Sequence, residues 1–198
     1  MLTDQRLVAL HKHRKRLFRK LLDAFEMSLA KKLQYFLVRL RYLEANIAGS
    51  SVLTKTGNAT LFLGGEKGVI NSQQDLLNAL TLKQFHLGPV GAASKFKLVH
   101  NLILGLNRAG LAEGLALAET LGFNPSEALV ILNKTPAASL AMEAKGDKMA
   151  MGKYTPPQAK LAQHLKDVRI IRQLADKVGA LTPLTNAHLS LLEKAESL

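Results

Sequence analysis

A lysine and an asparagine four residues apart, Lys97 and Asn101, are the side chains whose types and spacing best suit chemistry. They lie in GPVGAASKFKLVHNLILG, residues 88–105. On a helix this spacing puts both on one face with Ala93 and Gly105, whose small side chains are expected to leave that face open. An amine partly removed from water loses some of its preference for the charged form, and so can exchange a proton with a substrate oxygen. The nearby carboxamide can hold the same substrate by hydrogen bonds. Gly88 and Gly91 bracket the helix entry, which allows a tight turn and is expected to keep the first amide groups accessible. Spacing alone leaves a second reading open, because a Lys and an Asn at i and i+4 also describe a solvated helix stripe.

Periodicity gives the helices and strands around this pair. Residues 92–121 carry apolar or small side chains nearly all round, the pattern of a long buried helix covered on several sides. Gly105, Gly110 and Gly114 lower its intrinsic propensity, so packing must hold it. Gly122 ends it, and Pro125 begins the next helix, to about Asn133, after Asn124 as cap. A short helix is expected over 137–144, a loop by composition over 146–157, a helix over 158–178 stopped by Gly179, and a last helix from Leu184 onward.

Upstream, 42–48 and 59–63 read as strands, 71–80 as a short helix with Ser72 as a cap, and 83–87 as a third strand. Such a unit has too few strands to bury both faces, and is expected to be the remnant or edge of a larger α/β sheet, or to pair with another chain. The fold class is therefore mainly α: a small strand-strand-helix-strand unit followed by an all-helical domain built round a long buried helix. The expected division is 1–41 as an extension, 42–88 as the sheet remnant and 89–198 as the helical domain.

The 198 residues include no cysteine, which excludes disulfides, thiolate metal sites and a cysteine nucleophile, and no metal site is expected. No run of eighteen uncharged apolar residues is present, and charges interrupt the first thirty positions where a secretory signal needs an apolar centre. The expected location is intracellular, cytoplasmic or organellar. The net charge of +12 is uneven, since residues 1–42 hold 11 Lys/Arg against 3 Asp/Glu. With Leu7, Leu10, Leu17, Leu21, Leu22 and Phe25 near helical spacing and Thr3 as a cap, this segment reads either as a basic amphipathic helix that meets an anionic surface or as a solvated, disordered extension.

Over residues 42–198 the chain resembles the latter part of the β-hydroxyacid dehydrogenase family, which includes 3-hydroxyisobutyrate dehydrogenase and the glyoxylate and succinic semialdehyde reductases. Gly88, Gly91, Lys97 and Asn101 look like the family's glycine-bracketed motif, in which the lysine is the catalytic acid or base and the asparagine contacts substrate. LEANIAGS, residues 43–50, is similar to the substrate-loop motif, with Asn46 where proline is usual and Ala48 where serine is usual. The resemblance assigns Gly49 and Ser50 to substrate binding. AEGLALAE, residues 112–119, is similar to the central-helix signature. Lys166 and Asp167 look like the pair whose lysine approaches the nicotinamide cofactor and whose aspartate orders the site, although the usual aromatic eight residues earlier is Ala159 here.

The resemblance implies an oxidoreductase that uses NAD or NADP to interconvert a small hydroxy acid and its semialdehyde or keto form. In that family a Gly-rich turn in an N-terminal doubly wound domain seats the cofactor pyrophosphate. No GxGxxG occurs in this sequence, and GGEKG at 64–68 has the wrong glycine spacing. Impaired or absent stand-alone activity is therefore expected. The alternative is a noncatalytic, truncated module that associates with itself or with a full-length relative.

Overall fold

The computed structural model describes residues 41–155, 157 and 160–197. The basic segment before residue 41, Thr3 with it, and Ala159 lie outside the described residues. Leu43–Leu198 form one compact unit.

Three strands make a sheet of order β1-β2-β3. Strand β1 (Leu43–Ala48) runs antiparallel to β2 (Thr60–Gly65), with Leu43 opposite Gly65 and Ala48 opposite Thr60. Strand β3 (Gln84–His86) lies parallel to β2, with Leu61 opposite Gln84. A parallel pair needs a crossover. Here α2 (Lys67–Asn71) and α3 (Gln74–Leu80) supply it, where the sequence suggested one helix over 71–80. Ser72 closes α2 rather than capping a following helix, its hydroxyl donating to the carbonyl of Val69. The turn after β1 holds a further short helix, α1 (Ser51–Lys55), which periodicity did not reveal because it is a single turn with no buried residue.

Alternation sends neighbouring side chains of β2 to opposite faces. Leu61 and Leu63 pack with Ile70 and Leu77 from α2 and α3, while Phe62 packs with Ala48 and Ala93 on the other side. The expectation that so few strands leave a face unburied is therefore corrected for β2, whose second face is covered by the first turn of the long helix.

That helix, α4 (Ala92–Thr120), is the axis of the unit. It touches β1, β2, α5 (Pro125–Leu132), α6 (Leu140–Ala150), α7 (Leu161–Val178) and α8 (Pro183–Glu196). Leu111 and Leu115 of α4 form one core cluster with Leu129 and Met142. Asn124 caps α5 as expected, accepting from the amides of Ser126 and Glu127. Gly179, at φ 69°, ends α7.

Two differences from the sequence reading have clear causes. Helix α6 continues through residues that read as loop, because Ser139 caps it, Gly146 lies beneath Leu129, where packing outweighs the weak propensity of Gly146 and Asp147, and the Lys148, Met149 and Ala150 that follow are good helix formers. The long helix is also buried more narrowly than its apolar lining suggests. Ala93, Gly105, Leu111 and Leu115 are buried, whereas Val99, Ile103 and Leu117 are 49%, 54% and 59% exposed. Among the described residues no helix is long and apolar enough to cross a membrane.

Candidate active site

The site is built on one face of α4, where Ala93, Lys97, Asn101, Gly105 and Arg108 follow one another at helical spacing. The entry to this helix depends on glycine: Gly88 and Gly91 adopt φ of 125° and 95°, which a side chain would make costly. Gly91 is the N-cap residue and offers no side chain to its own helix. The cap comes from β1 instead. Oε2 of Glu44 accepts from the amides of Gly91 at 2.9 Å and Ala93 at 3.2 Å, and Oε1 accepts from the Ser94 hydroxyl at 2.7 Å. The Ala92 amide donates to the carbonyl of Pro89. Accessible first amides are therefore not what the chain builds, because an internal carboxylate has already taken the helix N-terminus.

Burial raises the Glu44 carboxyl, but the hydrogen bonds from Ser94, Gly91 and Ala93 outweigh it and hold the group below its ordinary range. Asn46 donates to the Ser94 hydroxyl, a second tie between β1 and the first turn of α4.

One turn on, Lys97 is half-buried. Burial pushes its amine below the ordinary lysine range, and the Asp167 carboxylate on α7 pulls it partly back. Asn101 donates from Nδ2 to Oδ2 of Asp167 at 3.3 Å. The structure thus brings together Lys97, Asn101 and Asp167, three of the side chains singled out from the sequence. A cation, a carboxamide and a carboxylate brought together on two neighbouring helices are groups that can hold a small oxygen-bearing acid and move a proton to or from it.

The other expected residues stand differently. Gly49 and Ser50 follow Ala48, which packs against Ala93 one turn before Lys97, so the β1–α1 turn borders the same part of α4. The Ser50 hydroxyl accepts from the Leu53 amide as the cap of α1. Lys166 is exposed, one residue from Asp167 and so on another side of α7.

The expectation of an open face at Ala93 and Gly105 is corrected. Ala93 is fully buried beneath the sheet, and a Cβ on Gly105 would stand 3.0 Å from Cε1 of both His164 and His188. Small residues here make room for neighbouring elements rather than for a ligand. The two imidazoles lie 5.1 Å apart between α7 and α8. His164 is lowered to about 4 by burial first, then by Arg108 and His188, against an opposing pull from Asp167. His188 is lowered by burial and then by Arg108. Sequence reading missed Glu44 as a cap, together with His100, Arg108, His164 and His188. A signal did exist for His164, which precedes Asp167 by three positions and so shares its helix face. Among the described residues no cluster of three or more His, Asp or Glu is arranged to hold a metal ion.

The model of the family described as NAD-binding of NADP-dependent 3-hydroxyisobutyrate dehydrogenase matches residues 91–198. The chain belongs to this family. The family match begins at Gly91 and so takes in Lys97, Asn101 and Asp167. The cytokine-like nuclear factor N-PAC of Aedes aegypti is 33% identical over 158 residues, which cover 80% of this chain and 28% of that protein. Human N-PAC is 31% identical over the same length and shares. The chain therefore spans less than a third of these curated relatives.

Among solved structures, 3-hydroxyisobutyrate dehydrogenase from Salmonella typhimurium superposes with a TM-score of 0.74 at 23% identity, covering 78% of this chain and 54% of that one. The Mycobacterium tuberculosis enzyme gives 0.69 at 20% identity, covering 78% and 55%. These two likenesses establish the fold.

A nicotinamide dinucleotide asks for a helix N-terminus with free amides to seat its pyrophosphate. The residues around the glycine turn do not fit that need, since Glu44 already satisfies the amides of Gly91 and Ala93 with a negative charge.

Proposed function

We propose that this chain carries the proton-transfer half of an NAD- or NADP-dependent hydroxyacid dehydrogenase site, for a small hydroxy acid or the corresponding semialdehyde. Lys97 acts as the acid or base, Asn101 holds the substrate and Asp167 orders both. The observation that carries this reading is the convergence of a desolvated amine, a carboxamide and a carboxylate where the family match also falls. The family's cofactor supplies or removes hydride. Lys166 is the residue of this chain proposed to approach it, with Gly49 and Ser50 bordering the substrate.

In this reading Lys97 gives a proton to the substrate oxygen as it becomes a hydroxyl, and recovers it in the reverse direction. With no pyrophosphate seat at α4, the described residues are expected to bind the small acid and to turn it over poorly or not at all alone. The test is to offer the purified chain glyoxylate or succinic semialdehyde with each reduced nicotinamide nucleotide, measuring acid binding by calorimetry and turnover by nicotinamide absorbance. Acid binding lost in Lys97→Ala supports the reading. A chain that binds no small acid sinks it.

A second reading is favoured by a different observation, the exposed apolar stripe of Val99, Ile103 and Leu117 along α4. Such a stripe suits a noncatalytic module that associates with its own copy or with a full-length relative. Sedimentation velocity checks it: a dimer that dissociates in Ile103→Asp supports self-association, and a monomer at high concentration counts against it. The basic residues 1–41 add a third expectation, binding to an anionic surface, which deletion of that segment should abolish with steep salt dependence.

A further inference from the structure

We propose that His100 is a positioning residue that fixes the carboxamide of Asn101, so that the site offers N–H donors to its ligand and selects molecules presenting carboxylate or carbonyl oxygens. This deepens the functional reading above and rests on it.

An ionised carboxylate only accepts, so the atom of Asn101 that meets Oδ2 of Asp167 must be the NH2 group. That turns Oδ1 of Asn101 toward His100, whose Nδ1 lies 3.1 Å away. A carbonyl oxygen only accepts, so Nδ1 of His100 carries the hydrogen. One carboxylate on α7 thereby sets the orientation of an amide on α4 and, through it, the tautomer of an imidazole.

The imidazole is held from the other side. Its ring meets Phe62 of β2 edge-on at 5.7 Å, and Phe62 meets Phe96 edge-on at 5.0 Å. Phe62 is buried between sheet and helix, so His100 is braced against the core. The row Phe62, His100, Asn101, Asp167 thus links the sheet to α7 and clamps the amide at both ends.

The clamp has a chemical result. With Oδ1 of Asn101 turned toward His100 and accepting from it, the hydrogen of Nδ2 not given to Asp167 is what this side chain best shows to a ligand. Lys97 beside it is also a donor. Two donors side by side favour an acceptor-rich ligand, while a ligand donor meets an amide oxygen that is turned toward His100 with one of its two lone pairs already engaged. Without His100 the amide is held by Asp167 alone, its oxygen loses its partner and is open to a ligand donor, and the selectivity weakens.

Two measurements on the full chain test this. The first is the imidazole tautomer of His100 by 15N NMR, expected as Nδ1–H; an Nε2–H form would overturn the proposal. The second compares binding of glycolate and its neutral amide, glycolamide, in the native chain, His100→Phe and His100→Gln. His100→Phe keeps a ring against Phe62 but removes the donor, and is expected to cut the glycolate preference about tenfold, the effect of one hydrogen bond. His100→Gln restores an N–H and is expected to recover most of it. An unchanged preference in a folded His100→Phe overturns the proposal. If the native chain shows Nδ1–H but binds neither probe, the functional reading fails and the selectivity fails with it, while the clamp itself stands.

Discussion

His164 rests against the backbone of α4 at Gly105, where a single added methyl group would stand 3.0 Å from its Cε1. Alanine is the better helix former by about 1 kcal/mol, yet overpacking costs about 1–3 kcal/mol. Gly105→Ala is therefore expected to lower stability. Nothing lies within 4 Å of a Cβ built on Gly110, so Gly110→Ala is expected to raise it by up to about 1 kcal/mol. Urea unfolding of the two variants checks the opposite signs, and equal shifts would mean that the histidines do not fill the space at Gly105.

The same pair predicts an acid sensitivity. The folded state holds His164 at about 4, below the ordinary histidine value of 6.5, and lowers His188 too, so it binds fewer protons than the unfolded chain. Stability should be complete above pH 6.5 and fall as the pH drops toward 4, levelling beyond it. The cationic Arg108 adds to the cost of charging either ring, while Asp167 reduces it for His164. The slope of unfolding midpoint against pH between 4 and 6.5 is expected to flatten in His164→Gln. An unaltered slope would assign the sensitivity elsewhere.

Glu44 should act at lower pH. Its folded value is depressed, so its contribution is present above the unfolded carboxylate value of 4.5 and is lost as pH falls through the folded one. Removing a helix cap costs about 0.5–2 kcal/mol. Glu44→Ala is expected to lose that amount at pH 7 and to speed amide exchange at Gly91 and Ala93 selectively. Uniform exchange across α4 would refute the capping role.

Lys97 and Asp167 should be coupled. Asp167 raises the amine against the larger effect of burial. Asp167→Asn is expected to move Lys97 to a still lower titration midpoint, followed by NMR of its side chain. In any assembly that turns over substrate, Lys97→Ala should lower the rate by two or more orders of magnitude, in line with loss of general acid–base catalysis. A rate that survives the change would remove Lys97 from the chemistry.

Much of this arrangement was legible in the residues. Lys97 and Asn101 could be paired by helical spacing, and Asp167 by family likeness. Gly179, Asn124 and Pro125 marked helix ends through local backbone chemistry, which acts over a few residues and shows in sequence. What escaped depends on contacts between distant segments. Glu44 reaches α4 from β1, 47 positions before Gly91. Gly146 sits inside α6 only because Leu129 of another helix covers it. His164 and His188 meet over Gly105 from two helices, and nothing in the periodicity of either announces the other.

Because Ala93, Lys97, Asn101, Gly105 and Arg108 fall on one side of α4, about 120° wide, the rod carries its anchoring, its chemistry and its docking of α7 and α8 on a shared flank. Inserting one residue between Asn101 and Gly105 would swing everything downstream by about 100°. The imidazoles would then confront a different flank while the amine stayed with the sheet. Length variation should thus be tolerated outside this span, and inside it only in steps that restore whole turns.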